Sequence, residues 1–92
     1  MALLGLIDAA EIWRTYDRVT GIWGLTDPWT GTALELRGLL MTNQKTQRDA
    51  TRLLDWVNAC GQYLNDLAAR RPARVKAYRN EKRRWFEIFR EI

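Results

Sequence analysis

The side chains best able to do chemistry lie at one end of the sequence. Lys76, Arg79, Arg83, Arg84 and Arg90 are interleaved with Tyr78, Trp85, Phe86 and Phe89. From Arg70 to Ile92 nine basic residues stand against three acidic ones, a net of +6, whereas Met1 to Ala69 holds six against eight, a net of −2. The positive field is therefore local, and a local cationic field with rings beside it suits an anionic partner. Guanidinium groups could pair with phosphates, with lipid headgroups, or with the carboxylates of a protein groove into which Trp85 and Phe89 insert as anchors.

Catalysis finds little support. The sequence holds no histidine and a single cysteine, Cys60, so the commonest general base, zinc sites and thiol-histidine pairs are excluded. Asp8 with Glu11 and Glu87 with Glu91 are the carboxylate pairs close enough in sequence to consider, and each reads as a cap or a solvated face. Gly21-Ile22-Trp23-Gly24 lacks the lysine and spacing of a phosphate loop. No enzyme activity, metal or cofactor is expected. Cys60, on an apolar stripe, reads as a small buried hydrophobe. A lone cysteine and the absence of a long apolar run place the chain in the cytoplasm. Met1 to Ile7 is apolar but short, and Asp8 and Glu11 interrupt it without a cleavage pattern.

The elements that must position these residues read as helices. Residues 1–92 form one small domain, with 47% apolar and 28% charged residues, in the globular range. Asp8 and Glu11 suggest a capping box opening a helix to about Thr20, with Ile12, Tyr16, Val19 and, if it persists past Gly21, Trp23 as its stripe, and Gly21 and Gly24 as its stop. Thr26 to Gly31 has turn chemistry, and Trp29 within it either plugs the core or forms an exposed contact. Thr32 with Glu35 makes a second capping box before Leu34, Leu36, Leu39, Leu40 and Met41, which predicts a short helix.

The longest predicted helix runs over residues 44–70. Ala50, Leu53, Val57, Cys60, Leu64 and Leu67 recur at steps of three and four, with Gly61 on the packed face and Asp66 and Arg70 as an i, i+4 pair. Pro72 interrupts it. Val75, Tyr78, Lys82, Trp85, Phe89 and Ile92 carry the same spacing over 72–92, which predicts a basic aromatic helix forming an antiparallel hairpin or a kinked rod with the first. Lys82 would snorkel from that stripe or fix its register.

The fold class expected is thus all-α, a bundle of three to four helices. Five tryptophans, three tyrosines and two phenylalanines exceed what one small core can enclose, which predicts a homodimer with Trp56, Tyr63 and Trp29 as interface candidates. The function expected is a non-catalytic protein-binding module that inhibits or adapts a larger protein with an acidic surface, in the manner of a phage-type accessory protein. Lys76, Arg79, Arg83, Arg84, Arg90, Trp85 and Phe89 would form its contact. A nucleic-acid-associated protein using the basic segment is the alternative, and a structural assembly subunit is the third class. Membrane binding is disfavoured, because the aromatic arc is needed for the core.

Overall fold

The computed structural model describes residues 3–55 and 58–90, and helices and strands share them. The elements in chain order are α1 (Leu3–Ala10), β1 (Arg14–Asp17), β2 (Ile22–Leu25), β3 (Trp29–Gly31), α2 (Ala33–Thr42), α3 (Gln47–Leu53), α4 (Ala59–Arg70), β4 (Val75–Arg79) and β5 (Arg84–Ile88). The strands form an antiparallel β1-β2 hairpin and an antiparallel sheet in the order β3-β5-β4. The all-α helical bundle expected from the spacing is therefore wrong, and the protein mixes α and β structure.

The largest correction falls on the basic segment. In place of a helix over 72–92, Val75 pairs with Ile88, Ala77 with Phe86 and Arg79 with Arg84. Val75, Phe86 and Ile88 are buried, while Lys76 and Tyr78 are exposed and Trp85 and Glu87 half-buried. This alternation is period two, and it coexists with a three-and-four spacing because both patterns accept a ring at 78, 85 and 89. Asn80 decides between them. Its Oδ1 accepts from the amides of Lys82 and Arg83, each at 2.9 Å, and its own amide donates to the Arg83 carbonyl, closing the turn. Lys82, expected on a helical stripe, stands exposed in that turn.

The predicted helix 44–70 is also corrected, since α3 ends at Leu53 and α4 starts at Ala59. Asn58 takes left-handed backbone angles, with φ at 67°, a conformation asparagine tolerates and a continuous helix forbids. The apolar phase survives the break because Ala50, Leu54, Cys60 and Leu64 are all buried. Val57 and Trp56 lie outside the described residues. Asp66 and Arg70 do pair, at 3.1 Å, and α4 stops just ahead of Pro72.

The helix expected from Asp8 to Thr20 lies earlier. Leu3, Leu6 and Ile7 are its buried side, Asp8 sits inside it and not at its cap, and it ends where Glu11 adopts a positive φ of 51°. Beyond that point β1 and β2 pair as a hairpin. Its turn is held by Asp17, which accepts from Val19 N at 2.8 Å and from Gly21 N at 2.8 Å, with Gly21 at φ 71°. The Thr32–Glu35 capping box is present at the start of α2, with both reciprocal hydrogen bonds formed.

The core joins the helices to one face of the three-stranded sheet. Leu6, Ile7, Leu36, Leu40, Leu54 and Leu64 meet Val75, Phe86 and Ile88, and burying each such side chain stabilises the fold by about 1.5–3 kcal/mol. Trp13 ties the two layers together, its buried indole Nε1 donating to the Ile88 carbonyl at 2.8 Å. Arg74 adds a second tie, with Nε on the Phe89 carbonyl at 2.8 Å and its guanidinium paired with Asp8 of α1. Among the described residues no helix is long and apolar enough to cross a membrane.

Candidate functional site: two hairpins and the groove beside them

The β4-β5 hairpin divides the sequence-predicted contact residues between its two faces. Because one side is committed to the core, residues of odd parity in β5 and even parity in β4 share the outer side. There Tyr78 and Trp85 are direct cross-strand partners, their rings stacked with centroids 5.8 Å apart and 13° between planes. The Arg83 guanidinium lies 5.8 Å from the Trp85 ring, and the Lys76 ammonium lies 5.4 Å from the Phe89 ring. These cation–ring contacts hold charge beside apolar surface without removing it from water. Glu87 lies between, and its hydrogen bond with the Tyr78 hydroxyl raises that phenol above its ordinary value near 10.

Arg79 and Arg84 belong to the other face. They are directly opposite each other at the turn end of the hairpin, and neither has an ion-pair partner among the described residues. They overhang α4, where each lines a depression shared with Asn65 and Phe86. Arg90 is separated from both by the length of β5; its amide donates to Asp27 Oδ1 at 3.1 Å, and its side chain borders a different cleft. The structure thus brings Lys76, Arg83, Trp85 and Phe89 together, sets Arg79 and Arg84 apart as a pair, and leaves Arg90 elsewhere.

Of the three dimer candidates, Trp29 and Tyr63 are half-buried and pack against the core. Gly31 makes room for Trp29, since a β-carbon there would lie 2.6 Å from the indole ring. Trp56 lies outside the described residues.

Sequence reasoning missed the β1-β2 hairpin. Every residue of both strands is exposed, including Tyr16, Ile22, Trp23 and Leu25, and Val19 in the turn is 94% exposed. Tyr16 pairs across the strands with Trp23 at a ring separation of 4.9 Å, and the Arg14 guanidinium lies 4.8 Å from the Trp23 ring. Expected as the buried stripe of a helix, Tyr16, Val19 and Trp23 instead form a projecting apolar arm. The signal that could have found it is the pair of β-favouring runs, Thr15-Tyr16 and Ile22-Trp23, on either side of an Asp17-to-Gly21 turn. Between arm and body lies a cleft of about 770 Å³, bordered by Trp13, Trp23, Leu25, Arg14 and Arg90 with the carboxylates of Asp8 and Glu11.

Among the described residues there is no group of three or more His, Cys, Asp or Glu side chains placed to hold a metal ion. Cys60 is buried, and burial pushes its thiol up to about 11 against a lesser downward pull from Arg37. Compared with family models, curated proteins and solved structures, the chain gives no significant match in any of the three.

Proposed function

We propose that this chain is a non-catalytic binding module that grips a larger protein with an acidic surface, working in the cytoplasm as an inhibitor or adaptor. One observation carries the reading: an arm of two short strands whose large apolar side chains face solvent, with Ile22 65%, Trp23 58% and Leu25 60% exposed. A two-stranded hairpin is marginal on its own in water, and clustered exposed rings on it are characteristic of an association surface. The cations of the β4-β5 hairpin supply the charge preference, steering an acidic partner toward a contact whose affinity comes from the rings.

A nucleic-acid reading draws on the outer sheet face, where Tyr78 and Trp85 sit beside Lys76 and Arg83. Glu87 weighs against it, because a carboxylate in the middle of that face repels a phosphate backbone. A homodimer or larger assembly would use the same arm.

Photo-crosslinking separates the three. A crosslinking residue at Leu25, 60% exposed at the base of the arm and introduced in cells of the native host, is expected to capture a different protein, and adding the Ile22→Ser/Trp23→Ala changes is expected to reduce capture of that protein by roughly tenfold with unchanged melting. Adducts of this chain with itself alone would replace the reading by assembly. Capture abolished by nuclease would replace it by nucleic-acid association.

A further inference from the structure

Resting on the reading above, we infer that the groove between α4 and the tip of the β4-β5 hairpin takes an extended acidic segment of the partner protein. Three features of the groove point to that ligand. Asn58, Gln62 and Asn65 stand at i, i+4 and i+7, so their carboxamides line one wall as an exposed row. Arg84 lies on the opposite wall, and two adjoining depressions, of about 500 and 330 Å³, share Asn65, Arg84 and Phe86 and continue to Arg79. Leu34, 74% exposed, gives the other end of the groove an apolar lip.

The arginine pair says that the ligand is anionic. Like charges directly opposite each other on antiparallel strands destabilise the pair, and no carboxylate among the described residues forms an ion pair with Arg79 or Arg84. A carboxylate bound between them would remove that repulsion, and two planar guanidinium groups can each bind one through paired N–H donors.

The carboxamides distinguish peptide from nucleic acid. Each presents a donor and an acceptor, matching the N–H and C=O groups of an extended peptide backbone. Single-stranded nucleic acid needs open ring faces on which bases stack. The groove offers little of this, since Phe86 is only 4% exposed and Tyr78, which borders the smaller depression, has one ring face covered by Trp85. An extended strand also alternates its side chains, so acidic residues can reach Arg79 and Arg84 while apolar ones meet Leu34.

The test is a titration of the full chain, followed by NMR, with a short capped peptide of alternating glutamate and leucine, and in parallel with an oligothymidylate of equal length. The peptide is expected to shift the side-chain amide signals of Asn58, Gln62 and Asn65 and to leave the Trp85 indole signal in place. Arg79→Glu/Arg84→Glu is expected to weaken it by at least roughly tenfold, and Gln62→Ala by a smaller factor, each with an unchanged backbone spectrum. If the double variant misfolds, the amide shifts in the wild type and the Gln62→Ala titration still decide. A peptide that binds but shifts the Trp85 or Trp23 indole instead would overturn the groove and keep the protein-binding reading. Amide shifts produced by the oligonucleotide and not by the peptide, or no binding of either, would overturn the inference. The crosslinking at Leu25 decides the broader reading independently.

Discussion

Burial has made Cys60 chemically quiet. With its thiol raised to about 11, the reactive thiolate is scarce at neutral pH, and the side chain is enclosed as well. Labelling by a disulfide reagent at pH 8 is therefore expected to be at least roughly a hundredfold slower in the native protein than in denaturant, where the value returns to the ordinary range of a free thiol. Native labelling at the denatured rate would mean that the helix carrying Cys60 opens readily. Adjacent residues of β5 offer a sharper contrast. Phe86 faces the core and Trp85 the outer surface, so Phe86→Ala is expected to cost about 3–5 kcal/mol and Trp85→Ala less than half of that. Chemical denaturation of the two variants measures the difference directly. Equal losses would put both rings in the core and remove Trp85 from the candidate surface.

Among the elements, α2 was the most legible, because its start is written in local chemistry. The Thr32 amide and hydroxyl hold the Glu35 carboxyl below its ordinary 4.5, with Arg83, 3.9 Å away, adding a smaller pull. A carboxyl lowered in the folded state stabilises the fold above its unfolded value, and that contribution fades as pH falls through the lower folded value. Glu35→Gln, which keeps a capping side chain without the charge, is expected to flatten the acid limb of a stability-against-pH curve below pH 4.5. An unchanged limb would show that the charge contributes nothing to the cap. The interior of α2 holds a second test, since a β-carbon added at Gly38 meets nothing within 4 Å. Gly38→Ala is expected to stabilise the protein by about 1 kcal/mol, read from the denaturation midpoint. The strands were illegible for a related reason. Four- and five-residue strands carry too few alternations to outvote a helical spacing, and the turns at Asp17 and Asn80 act through side-chain hydrogen bonds that composition alone does not display.

At the scale of the whole molecule, the division between core and exposed apolar arm follows from how little apolar area a chain of 92 residues can enclose. The surplus of rings was readable in the sequence. Its location was not, because a helical reading of Tyr16, Val19 and Trp23 assigns them to the interior that α1, Trp13 and the three-stranded sheet fill instead. The cluster of cations and rings was legible as a list of residues and not as a surface, since a strand sends Trp85 and Arg84 to opposite faces. That division predicts that the arm is dispensable for folding. None of its strand residues is buried, and the Thr26 amide to Trp13 carbonyl hydrogen bond, at 2.7 Å, already closes its base. Replacing residues 15–24 by a short Asn-Gly turn is therefore expected to change stability by no more than about 1 kcal/mol, because exposed surface is removed and a loop is shortened. The same deletion is expected to abolish the crosslinked complex formed at the arm while leaving the Asn58, Gln62 and Asn65 signals of the groove unmoved. Global unfolding on deletion would make the arm part of the structural core, and its exposed rings would then no longer mark a partner's place.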